Sequence, residues 1–207
     1  MNKYSDLNEN ARDILKEIGN IGTGNAVTAL ARMIGCPIKM ELPQIRILGY
    51  NEAPELVGGA EDVQVGILLD ASGDLNGMFL FLMNEKFTGL MIKYLLGGER
   101  HEIIGLNEME RSAVCEIGNI MCCSYLNAMT RLLNLSVAVS VPDACADMVG
   151  AILSVPMIHF ANLSDELLFI ENKYNLNDEE LVSYVLFLPE IESLERIFKA
   201  LGESYEE

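Results

Sequence analysis

The sequence predicts an α+β fold assembled from two related halves. Three observations predict it: a five-residue word that occurs twice, a long helical period around each occurrence, and paired strand-like segments between them. The word is Glu-Ile-Gly-Asn-Ile, at Glu17 to Ile21 and again at Glu116 to Ile120, an offset of 99 residues. The match continues beyond it. Asn20 is followed 23 positions later by Pro43, and Asn119 is followed 23 positions later by Pro142. Four residues before each Glu stand Asp13 in one copy and Ser112 in the other. The halves also end alike, with LLGG at 95–98 and ALGE at 200–203, where the offset has grown to 105. The repeat is too long, and repeated too few times, for a solenoid. A single domain over 1–207 is expected, made of repeats at about 1–98 and 99–207 around a pseudo-twofold axis. The joint Gly97-Gly98-Glu99-Arg100-His101 leaves little room for a flexible linker.

The elements follow in chain order. Residues 8–34 read as a helix, because Ala11, Ile14, Leu15, Ile18, Ile21, Gly22 and Ala29 recur at three- and four-residue steps. Ser5 or Asn8 would cap its start, and Gly35 with Pro37 would close it. Segments 37–49, 62–70 and 76–84 are strand-like, the last two joined by a Ser-Gly-Asp turn, and 85–96 is helical. The second half opens with a helix from about Asn107 to Leu133 that buries Met109, Ala113, Val114, Ile117, Ile120 and Met121. Segments 135–141, 166–173 and 181–188 are strand-like, and 143–156 and 190–201 are helical. Helices interleaved with paired strands give the α+β class.

The repeated word sits on the outward face of each long helix. With Ile18 at the centre of the buried face and about 100° per residue, Glu17 lies about 100° to one side. Asp13 and Asn20 lie further round on the same side, so the three share about 60° of arc. Ser112, Glu116 and Asn119 repeat the stripe. A solvent-facing Glu carries little information, whereas Asn competes with its own backbone and is a middling helix former. A recent duplication would preserve any residue, functional or not. Here the stripe has stayed alike while most of the two halves has diverged.

Composition narrows the chemistry. Fourteen Lys and Arg face thirty-one Asp and Glu, a formal net charge of −17. Such a chain repels nucleic acid and anionic membrane, whose binding needs Lys and Arg. A basic protein partner suits it; so does the plainer reading that acidity keeps the chain soluble. Half the residues are hydrophobic, enough for a sizeable core. The five cysteines, Cys36, Cys115, Cys122, Cys123 and Cys145, form no C-x-x-C pair, and their odd number argues against a disulfide framework. Cys122-Cys123 reads as helix packing. Neither His101 nor His159 stands in a metal-ligand spacing. The MNKYSDLNENARD opening has no signal-peptide core, and no apolar run approaches the ~20 residues of a membrane span. A cytoplasmic protein is expected.

The stripe offers no nucleophile beside a base. No Walker loop is present, and the Gly-Thr-Gly at 22–24 lies inside the helical period without the strand a dinucleotide site requires. A carboxamide can hold a water in line with a phosphorus atom, as a glutamine does in small GTPases. A carboxylate one turn away can pair with a Lys or Arg on a substrate protein. Such a site positions; the phosphate-binding machinery would come from the partner.

The pattern Asp/Ser-x3-Glu-x2-Asn-x22-Pro resembles that of the CheC, CheX and FliY phosphatases of chemotaxis. The words LKEIGNIGTGNA and LNEMERSAVCEIGNIM are similar to the CheC branch in particular. The resemblance spans the whole chain. It implies a CheC-like tandem duplication of an α-β-β-α-β-β-type unit, and phosphorylated CheY as substrate. Glu17 and Glu116 would pair with a CheY lysine, while Asn20 and Asn119 would orient the hydrolytic water. Asp13 and Ser112 would support them, and Pro43 and Pro142 would shape the chain. The protein would carry no cofactor of its own, with Mg²⁺ on CheY. The resemblance also implies a second partner, the deamidase CheD, which stimulates the phosphatase. The stretch DACADMVGAIL is similar to the helix that meets it, with Asp147 either a contact or an ordinary surface acid. Having both motifs, the chain is expected to be a monomer, unlike the dimeric CheX type, and with its ESYEE ending it is expected to lack the added switch domain of FliY. The rival reading is a non-catalytic CheD-binding adaptor or an interaction module like the flagellar switch protein FliM.

Overall fold

A computed structural model describes residues 9–98, 102–160 and 166–200. The capping candidates Ser5 and Asn8, and residues 99–101 of the joint, lie outside them. The first half runs α1 (Glu9–Ile34), β1 (Lys39–Met40), β2 (Gln44–Gly49), α2 (Ala53–Val57), β3 (Val63–Gly73), β4 (Gly77–Asn84) and α3 (Glu85–Leu96). The second repeats the order: α4 (Glu108–Leu133), β5 (Val137–Val139), β6 (Asp143–Met148), α5 (Val149–Phe160), β7 (Glu166–Leu176), β8 (Glu179–Pro189) and α6 (Ile191–Ala200). Each half therefore extends the expected six-element unit by a terminal helix.

Local chemistry sets the element ends. Asn107 caps α4 with a reciprocal box: its side-chain oxygen accepts from the N–H groups of Met109 and Glu110 at 3.0 Å, while Glu110 accepts from the Asn107 N–H at 2.8 Å. The helix closes on Asn134 in the left-handed region, at φ 54°. α1 closes on Gly35, at φ 67°. The β7–β8 turn is the two residues Asn177 and Asp178, both at positive φ, the conformation a tight hairpin needs.

One antiparallel sheet takes strands from both halves in the order β1-β7-β8-β4-β3-β5, with β2 also on β7 and β6 also on β3. The halves exchange their edge strands. β1 and β2 of the first half pair with β7 of the second, and β5 and β6 of the second pair with β3 of the first. The registers repeat: Gln44 opposes Glu171, and its counterpart Asp143 opposes Leu68. The strands β4 and β8 meet at the middle, where the rings of Phe79 and Phe187 stack with centroids 4.4 Å apart.

Helices cover both faces, so the central strands read as continuous apolar runs. In β4, Phe79, Phe81 and Met83 turn toward the core under α1, α3 and α4, whereas Met78, Leu80 and Leu82 turn toward α2 and α5.

The structure corrects the sequence expectations at several points. Met109, expected on the buried face of the second long helix, stands 67% exposed in the first turn of α4. Residues 37–49 are two short strands interrupted before Gln44, not one. The five-residue α2, with Pro54 in its first turn, fills the second helix position of the six-element unit, although periodicity gives no sign of it. Residues 143–148 are strand, and the helix expected over 143–156 begins at Val149. In β6 the exposed Asp143, Cys145 and Asp147 alternate with the inward Ala144 and Ala146. Alanine's helix preference hides this period of two in the sequence, and pairing with β3 overrides it.

Candidate functional site

The two long helices lie side by side on one face of the sheet, and small residues set how closely they lie. A Cβ on Gly22 would sit 2.5 Å from the Tyr125 ring, so α1 approaches α4 over a bare backbone. The motif glycines play a matching part against the sheet. A Cβ on Gly118 would sit 2.4 Å from Ile67 of β3, and one on Gly19 would lie 3.8 Å from Ile170 of β7, the counterpart strand. Each motif helix thus rests on a strand of the other half.

Packing these inner faces leaves the repeated polar stripe outside. Glu17 and Glu116 are exposed, and Asn20 and Asn119 are half-buried on the same flank. Glu and Asn three residues apart put their Cβ atoms about 5–6 Å from each other. Asp13, exposed one turn before Glu17, pairs with Lys16 at 2.8 Å. Ser112 is exposed, and beside it Arg111 pairs with Asp143 on β6. Pro43 sits at the start of β2, its ring 3.5 Å from where a Gly19 side chain would begin. Pro142 holds the corresponding place before β6. The structure gathers Asp13, Glu17, Asn20 and Pro43 around one helix, and Ser112, Glu116, Asn119 and Pro142 around the other. It does not bring Asp147 to either. Asp147 is exposed at the end of β6, its carboxylate accepting from the Met148 N–H at 2.7 Å, beside a helix on the opposite face of the sheet.

One contact escaped the sequence reading. The Cys123 thiol donates to the Asn119 side-chain oxygen at 3.3 Å. Burial, and secondarily the Glu116 carboxylate, pushes that thiol's pKa up, so it stays a donor at neutral pH. Its spacing of four from Asn119 could have revealed it, since such pairs meet on a helix. The neighbouring Cys122 is fully buried and does pack, as expected.

Beneath the stripes lies a buried polar cluster. Thr23 and Tyr125 both lie within hydrogen-bond reach of the Asn172 side-chain oxygen, at 2.7 and 2.5 Å, and of each other. It joins α1, α4 and β7, and burial pushes the Tyr125 phenol upward. Among the described residues, no group of three or more His, Cys, Asp or Glu converges as a metal site, and no helix is long and apolar enough to cross a membrane.

Comparison with known proteins places this arrangement. The profile of the CheC-like family matches residues 11–47 and 109–145, the two segments that hold the stripes and their prolines. The chain is 32% identical to the CheY-P phosphatase CheC of Bacillus subtilis over 99% of its own length and 100% of that protein. The chain belongs to the CheC-like family. Within it, the flagellar motor switch phosphatase FliY of Bacillus subtilis is 24% identical over 68% of this chain and 36% of that protein. The CheC-like fold is shared more widely. The crystal structure of Thermotoga maritima FliY superposes with a TM-score of 0.73 at 20% identity, over 95% of this chain and 98% of that one. The FliM middle domain from H. pylori superposes with a TM-score of 0.68 at 10% identity, over 94% and 99%.

Proposed function

We propose that this protein hydrolyses the aspartyl phosphate of phosphorylated CheY, as a chemotaxis phosphatase with two sites. The observation that carries the reading is the doubled Glu-Asn stripe, displayed outward from equivalent helices in a relative of a named CheY-P phosphatase along its whole length. In each site the glutamate, Glu17 or Glu116, pairs with a lysine of the regulator and fixes its pose. The asparagine, Asn20 or Asn119, enters beside the phosphoryl group and holds a water in line for attack on phosphorus. The P–O bond to the aspartate breaks, and inorganic phosphate leaves. Mg²⁺ belongs to the CheY side of the complex. Asp13 and Ser112 act at the edge of the stripe, and Pro43 and Pro142 shape the chain beside it. The two repeats act as one unit, a monomer over 1–207, because each lends the other its edge strands. CheD binding at the β6–α5 junction, with Asp147 as a contact, would regulate from the far side of the sheet.

The fold is shared with the FliM middle domain, which supports a second reading, a binding module without turnover. The test is the decay of phosphorylated CheY with and without this protein, each with and without CheD. Faster decay is expected. Unchanged decay alongside measurable CheD binding would favour the adaptor.

A further inference from the structure

Both edges of the sheet carry the same irregularity at the same place in each repeat. Met40 lies opposite Tyr174 and Gln44 opposite Glu171, so Glu41, Leu42 and Pro43 face only two residues of β7. The Glu41 N–H still donates to the Lys173 carbonyl at 3.0 Å, leaving Leu42 and Pro43 together opposite Asn172. On the other edge Val139 lies opposite Ala71 and Asp143 opposite Leu68. The Ser140 N–H donates to the Asp70 carbonyl at 2.9 Å, leaving Val141 and Pro142 together opposite Leu69. Each is a β-bulge, a device that re-aims a side chain at a sheet edge. Proline fits there because the second bulge residue has no ladder bond to donate.

The residue re-aimed is apolar both times. Leu42 is 76% exposed and Val141 87%. A single exposed aliphatic residue means nothing; an exposed one raised on an equivalent bulge in each of two diverged halves is a repeated feature. Both bulges are also tied to the motif helices. The Pro43 ring lies 3.5 Å from the position of a Gly19 side chain, the residue before Asn20. Asp143, directly after Pro142, pairs with Arg111, directly before Ser112. Exposed carboxylates neighbour each apolar tip along the chain, Glu41 directly before Leu42 and Asp143 two residues after Val141, and each motif helix displays its own, Glu17 and Glu116.

We propose that Leu42 and Val141 are the apolar anchors by which each site grips its phosphorylated regulator. This rests on the phosphatase reading above. The surface they fit is an apolar patch rimmed by Lys or Arg, next to the phospho-aspartate. Interfaces combine such a desolvated centre with a charged rim, and a few central side chains carry most of the affinity. An anchor that does not touch the reacting atoms binds ground and transition states alike, so its loss raises KM and spares kcat.

The test uses single-site proteins, Leu42→Ser with Asn119→Ala and Val141→Ser with Asn20→Ala, each compared with its single-site parent. KM for phosphorylated CheY is expected to rise about tenfold in each, the loss of a contact of about 1.4 kcal/mol, with kcat within about twofold. Titration with CheY carrying beryllofluoride reads the anchors without turnover, and affinity should fall by the same factor. Ile158→Ser removes an equally exposed aliphatic residue (79%) from α5, on the other face of the sheet, and should change nothing. Unchanged KM and affinity in the folded variants would overturn the proposal. So would a fall in kcat alone, or a wild-type dimer that the substitutions dissolve. If the wild type binds beryllofluoride-CheY without hastening decay, the phosphatase reading fails while the titration still decides the anchors. If it does neither, both fail.

Discussion

The two motif helices carry the same word on the same face, yet their surroundings have diverged. On α1, the residue one turn after Asn20 is Gly24, with open space where a side chain would be. On α4 the same place holds Cys123, whose thiol restrains Asn119. Beneath the word, Gly19 has ordinary room beside Pro43, whereas Gly118 is pressed against Ile67. The first site is looser at its asparagine and in its seat; the second is tighter at both. What the halves share is the outward stripe, and what they do not share is how firmly it is held. Under the proposed function the stripe is the part held constant, and the seat is open to repacking.

The largest expected difference lies in the seats. Gly118→Ala would set a Cβ 2.4 and 2.7 Å from Ile67 Cγ2 and Cβ. Overpacking of this kind costs about 1–3 kcal/mol, because the β-branched stem cannot swing aside. Gly19→Ala meets its nearest atom, on Pro43, at 3.5 Å and gains helix propensity, so it should be neutral or stabilising by up to about 1 kcal/mol. Urea unfolding of the two variants checks this, and equal losses would erase the distinction between the seats.

Next is the alkaline limb of stability. Burial raises the pKa of Cys122 and of Tyr125 in the folded protein. A group whose folded pKa is raised gives its full stabilisation below the unfolded value and loses it as pH rises toward the folded one. Folding stability should therefore fall as pH climbs past the ordinary thiol range, and Cys122→Ala should flatten the first part of that fall. Urea midpoints measured across the alkaline range test both statements.

The loss of restraint at Asn119 should be smaller. A thiol hydrogen bond contributes less than about 1 kcal/mol, so Cys123→Gly in an Asn20→Ala background should lower kcat about two- to threefold. Cys123→Ser, which keeps a donor, should restore it. The same exchange in an Asn119→Ala background should have no effect on the remaining site.

The unevenness of the two halves also explains what the sequence disclosed. The stripe was legible because helical period and repetition coincide: Glu17 and Glu116 are exposed where the wheel places them, and Asn20 and Asn119 lie half-buried on the same flank. The long helices and the β3–β4 hairpin were legible for the same reason, since their signals are local, and so were the strands β7 and β8, though not the Asn177-Asp178 turn that joins them. The strand exchange was not, because β1, β2, β5 and β6 are short edges whose partners lie far away in the chain. The segment Asp143–Met148 was misread as helix because its inward residues are alanines. The bulges were invisible, because they exist only as a register difference between two strands. Cys123 is within reach of the spacing argument, but a Cys-Cys pair reads as packing, which is true of Cys122 alone.

The most direct test of the central claim is the decay of phosphorylated CheY with the folded Asn20→Ala/Asn119→Ala double variant. Both side chains are half-buried on the outer flank of their helices, so thermal unfolding should stay close to the wild type. The account predicts a loss of acceleration of about 100-fold or more, the scale of removing a group that aligns the attacking water. Acceleration persisting near the wild-type level in the folded double variant would contradict it.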